Sequence, residues 1–60
     1  MKLKQLLPLL DTYYEVLDAD NKHIFNSNSR LEGFDDCIIT SIKTDDGYEG
    51  PVLLIYIWRV

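Results

Sequence analysis

His23 and Cys37 are the two side chains of this sequence that could form a nucleophile and its base. Such a dyad needs the thiol and the imidazole within hydrogen-bond reach of each other. Nothing in their spacing brings them together. Both fall in segments that read as strands, where a lone cysteine ordinarily packs as a small hydrophobe and a histidine beside a turn faces water. They are also the only soft metal ligands, too few for a structural zinc site. The carboxylates offer no better arrangement. Asp18, Asp20 and Asn21 begin like a calcium loop, but the glycine and the closing carboxylate that such a loop needs at its sixth and twelfth positions are replaced by His23 and Ser29. Asp45, Asp46 and Glu49 surround Gly47 and read as a hairpin turn, and Asp35 and Asp36 as the solvated start of a strand. No phosphate-binding glycine loop is present. The residues therefore predict a non-enzymatic protein with no cofactor and no metal; a small ligand-binding module or enzyme using His23 and Cys37 is an alternative that a pocket lined by either residue would revive.

Charge narrows the partners. All ten carboxylates lie between Asp11 and Glu49, with only Lys22, Arg30 and Lys43 among them, so that segment carries −7 against −4 for the chain. Direct binding to nucleic acid requires clustered Lys and Arg and is not expected. A dense carboxylate face could instead imitate nucleic acid in a basic groove of another protein, an alternative that competes with a plain solvated surface. No segment is long enough to span a membrane, since the apolar run Val52 to Trp58 covers seven residues. Lys2 and Lys4 precede too short an apolar stretch for a signal peptide. With one free thiol, the expected location is the cytoplasm.

The elements that must position these residues follow from local pattern. Leu3, Leu6, Leu7 and Leu10 have the spacing of one helical face, so Lys2 to Leu10 reads as a short helix, kinked at Pro8 or divided into two turns there. Tyr13 to Asp18 reads as a strand, Asp18 to Asn21 as a turn and His23 to Asn26 as the returning strand. Ser27 to Gly33 is a polar connection. Asp36 to Thr44 is a third strand, with Ile38 and Ile42 expected on one face and Cys37, Ile39 and Lys43 on the other. After the Asp45-Asp46-Gly47 turn, Val52 to Val60 is the fourth. The fold class is α+β: residues 1–60 form one domain in which a short N-terminal helix packs on a four-stranded antiparallel sheet made of two hairpins.

The fourth strand is the informative one. Side chains alternate across a strand, so Leu53, Ile55, Ile57 and Arg59 share one face, and Val52, Leu54, Tyr56, Trp58 and Val60 share the other. A sheet with one solvated face should carry polar residues there. The leucines of the helix can cover Leu53, Ile55 and Ile57. The second face must be covered by a partner or by the chain's own loops. A domain of 60 residues has a small core, and with one cysteine it can form no internal disulfide. Oligomerisation is the remaining way to complete it. Val52, Leu54, Tyr56 and Trp58 are accordingly the expected interface, and a homodimer the expected assembly.

The segments Met1 to Leu7, Tyr14 to Asp18, Thr40 to Ile42 and Leu53 to Ile57 together resemble short accessory proteins encoded in phages and mobile elements of Firmicutes. The resemblance implies a cytoplasmic protein that binds a host or phage protein, with an inhibitory, anti-defence role. It assigns no role to any individual residue.

Overall fold

A computed structural model of the chain describes residues 1–48 and 50–58. The leucine-rich start forms a single α-helical turn, α1 (Leu3–Leu6), followed directly by a 3-10 turn over Leu7–Leu9. Pro8 is the cause of the change. Without an N–H it cannot continue the α-helical hydrogen-bond ladder, and a tighter turn begins around it. Gln5 stabilises the start of α1, because its Oε1 accepts the Lys2 backbone N–H at 2.8 Å. Leu3 and Leu7 are buried, while Leu6 and Leu10 pack at the margin of the same cluster.

Four strands follow: β1 (Tyr14–Leu17), β2 (His23–Asn26), β3 (Ile38–Gly47) and β4 (Gly50–Trp58). β1 with β2 and β3 with β4 are antiparallel hairpins, as expected. The sheet order is β2-β1-β4-β3, and β1 lies parallel to β4. The sheet is thus mixed, not purely antiparallel. The two hairpins meet along the first strand of one and the last strand of the other, and the connection from β2 to β3 runs between opposite edges. That arrangement makes β4 an interior strand, paired along both of its edges, while its apolar side chains divide between the two faces of the sheet. Pro51 is tolerated there because β1 pairs with β4 only from Leu53 onward.

The strand limits also differ from those read from the sequence. Asp45, Asp46 and Gly47 do not turn; they continue β3 opposite Val52, Pro51 and Gly50. Arg59 and Val60, placed in the fourth strand by sequence, lie outside the described residues. In β3 the register shifts between Ile39 and Ser41, leaving Thr40 as an extra residue whose Oγ1 donates to the Tyr56 carbonyl at 3.2 Å. The bulge reverses the facing of everything after it. Ile38, Ser41 and Lys43 share one face, opposite Trp58, Tyr56 and Leu54, whereas Ile39 and Ile42 share the other, opposite Ile57 and Ile55. The expected pairing of Ile38 with Ile42 is therefore corrected.

The core occupies one side of the sheet. Leu3, Leu7, Tyr14, Val16, Phe25, Cys37, Ile55 and Ile57 form its buried cluster. The β2–β3 connection closes over this same side: Phe34 packs on Phe25 with ring centroids 5.8 Å apart. Main-chain bonds from Leu3 N to the Cys37 carbonyl (2.9 Å) and from Lys4 N to the Asp35 carbonyl (3.0 Å) tie α1 to that connection. The helix and the long connection cover one and the same face.

Candidate functional site: the open face of the sheet

Because the connection folds over the helix side, the second face of the sheet has no cover from the described part of the chain. Its layout follows from the pairing. Glu15, Leu54 and Lys43 form one row across β1, β4 and β3, and Leu17, Tyr56 and Ser41 form the next. Beyond them Trp58 stands opposite Ile38, and at the other end Val52 stands opposite Asp45. None of Val52, Leu54, Tyr56 and Trp58 is buried; Trp58 is 56% exposed and Ile38 45%. By contrast Ile55 and Ile57, their neighbours in sequence, are fully buried on the helix side. The strand is apolar on both faces, but only one face is sealed.

Two residues of this surface were not anticipated. Leu17 joins it because it is two positions from Glu15 on β1, and its alternation was visible in sequence. Ile38 joins it because of the bulge at Thr40, which sequence alternation could not reveal. The rim is charged with both signs. Lys43 lays its Nζ 5.2 Å from the centroid of the Tyr56 ring, a cation–π contact. On the β2 side, His23 Nε2 stands 3.7 Å from Glu15 Oε1. An apolar centre with Trp and Tyr and a mixed-charge rim is the composition of a protein-contact patch.

The residues weighed for catalysis are separated. His23 is on β2 and exposed, while Cys37 is buried just before β3. Those strands form opposite edges of the sheet, three strand spacings apart, on the order of 14 Å. Neither residue lines the two larger clefts. One, of about 490 Å³, lies between Leu7, Asp11 and Asn28; the other, of about 540 Å³, lies between Tyr13, Tyr48 and Pro51.

The carboxylates are individually accounted for. Asp18 closes the β1–β2 turn, its Oδ1 accepting the N–H groups of Asp20 (2.9 Å) and Lys22 (3.0 Å), with Asn21 in the left-handed region at φ 64°. That local bonding explains the motif that begins like a calcium loop. Asp36 pairs with Lys4 at 2.9 Å and Lys2 at 3.8 Å, and Asp35 with Arg30 at 3.5 Å. The hydrogen bond and charge of Lys4 hold the Asp36 carboxyl below its ordinary range, and Asp36 raises the Lys4 ammonium in return. Three of the six cations are thus spent on the acidic start of β3. Among the described residues no cluster of three His, Cys, Asp or Glu could hold a metal ion. Among them, too, no helix is long and apolar enough to cross a membrane.

The chain matches no family model, no curated protein and no solved structure.

Proposed function

We propose that this is a non-catalytic protein-binding protein that acts as a homo-oligomer, with Val52, Leu54, Tyr56 and Trp58 as its contact surface. The observation that carries this reading is the uncovered apolar face, to which Leu17 and Ile38 add. An exposed patch of this kind on a small domain is a contact surface or an aggregation hazard, and burying it against a second subunit resolves the hazard. In the setting that the resemblance implies, the protein works in the cytoplasm and binds a host or phage protein in an inhibitory, anti-defence role.

The nucleic-acid mimic is the weaker reading. A mimic needs a contiguous set of free carboxylates, and here Asp35 and Asp36 are neutralised by neighbouring cations while Asp18 is bound to its own turn. Ionic strength separates the two. Contact through the open face should persist in high salt, whereas a mimic loses its partner steeply as salt screens the charges. Introducing a charge into the centre of the patch, as Leu54→Lys, should abolish association in the micromolar range while leaving the helix-side core and the circular dichroism spectrum unchanged. Association in the micromolar range that survives Leu54→Lys and Trp58→Ser together would refute the proposal.

A further inference from the structure

A second surface lies at the edge of the sheet, and it does not depend on the open face. β3 is an edge strand of ten residues, exposed from Thr40 through Asp46. The edge already accepts an antiparallel segment at one end. Leu3 N donates to the Cys37 carbonyl and Ile39 N to the Met1 carbonyl at 2.8 Å, so Lys2 sits opposite Ile38 as a short strap. The main chain of Cys37 and Ile39 therefore points away from β4. Carried through the bulge at Thr40, the same alternation directs the main-chain groups of Ile42, Thr44 and Asp46 outward. The Asp46 N–H is held by Oδ1 of its neighbour Asp45 at 2.8 Å, a local bond that is released when Asp45 turns to a cation of a second copy. Ile42 and Thr44 present their outward groups along an exposed strand, the template for strand addition.

We infer that a second copy of this chain pairs with this edge, β3 against β3, about a two-fold axis at Thr44. Three constraints select that register. Parity requires the axis to pass through a single residue, because outward-facing residues must meet outward-facing residues. Counted through the bulge, an axis at Ile42 would set Thr44 and Asp46 of the second copy opposite Ile39 and Cys37, whose outward groups the Met1–Leu3 strap already occupies. An axis at Lys43 would place the two Lys43 side chains in direct opposition, a like-charge pair. With the axis at Thr44, Lys43 of each copy faces Asp45 of the other on the open-face side, giving two symmetry-related opposite-charge pairs. Thr44 meets Thr44, and Ile42 meets Asp46. The two four-stranded sheets become continuous, and their open faces lie side by side as one larger floor. The strap limits the contact to the segment from Thr40 onward, so the pairing is small beside a standard interface and is expected to be weak.

Cross-linking reads the register directly. Across the pair the two Thr44 Cα atoms would be about 5.5 Å apart, within the span a disulfide accepts. The Ile42 Cα atoms would be separated by roughly 14 Å. Under mild oxidation at submillimolar concentration, Thr44→Cys should form a covalent dimer, whereas Ile42→Cys and the unsubstituted chain, whose thiol is buried, should not. Lys43→Asp in the Thr44→Cys background should slow dimer formation several-fold, and Lys43→Asp with Asp45→Lys should restore it. Equal or faster cross-linking through Ile42→Cys would overturn the register, and no cross-linking of Thr44→Cys in a chain with an unchanged circular dichroism spectrum would overturn the pairing. Trp58→Ser added to Thr44→Cys should leave the cross-link intact. Its loss there would assign the association to the open face and overturn the edge contact.

Discussion

Trp58 is the residue on which the two faces of β4 differ most in consequence. A buried tryptophan would lose about 3–5 kcal/mol on truncation. Trp58 is more than half exposed, so Trp58→Ala in dilute solution should shift the chain's own stability by no more than about 0.5–1 kcal/mol. Its effect should fall on association, read by comparing melting curves at low and high protein concentration. Ile55 provides the contrast. It is fully buried between Val16 and Ile42, and Ile55→Ala should cost about 2–5 kcal/mol, enough to unfold much of a domain whose core supplies only ~3–5 kcal/mol. Circular dichroism at room temperature checks it. Lys4 and Asp36 make a finer test. The folded-state pKa of Asp36 is depressed, so its favourable contribution is present above the ordinary aspartate range and lost as pH falls through the folded value. That of Lys4 is raised, so its contribution is present below the ordinary lysine value and lost as pH rises past the folded one. Both groups are exposed, and the effect on stability is small. In an NMR titration Asp36 should ionise below its ordinary range, and Asp36→Asn should lower the Lys4 pKa toward the ordinary lysine value.

At the scale of elements, the β3–β4 hairpin depends on its glycines. A Cβ on Gly47 would press into the Val52 side chain and lie 2.8 Å from the Gly50 carbonyl oxygen, while Gly50 has φ 136°. Gly47→Ala and Gly50→Ala should each lower the melting temperature, the first by crowding and the second by backbone strain. Much of this element was legible from residue types. The β2 limits, the division of β4 into two faces and the leucine stripe of α1 follow from short-range alternation and spacing, which the backbone imposes directly. What was not legible depends on contacts distant in sequence. Parallel pairing of β1 with β4 arises from how two hairpins dock. The turn expected at Asp45-Asp46-Gly47 was displaced because cross-strand pairing with Val52, Pro51 and Gly50 extended β3. The bulge at Thr40 is stabilised by a hydroxyl contact to Tyr56, sixteen residues away, and it alone moved Ile38 onto the open face. For the candidate site, Val52, Leu54, Tyr56 and Trp58 could be grouped from one strand, but Leu17 and Ile38 required the neighbours.

For the whole molecule, the decisive feature is that two covers serve one face. α1 and the connection through Phe34 both close on the helix side, and a chain of 60 residues contributes no third layer among its described residues. In the proposed assembly the sheet is half of a sandwich. A second copy is the simplest other half, and the mixed-charge rim of Glu15, Lys43 and Asp45 would set its orientation. Light scattering across the micromolar range tests this most directly, comparing the unsubstituted chain with Leu54→Lys. A dimer or larger mass is expected for the former and a monomer mass for the latter, in high salt as in low. A monomer mass for the unsubstituted chain throughout that range would contradict the proposed assembly.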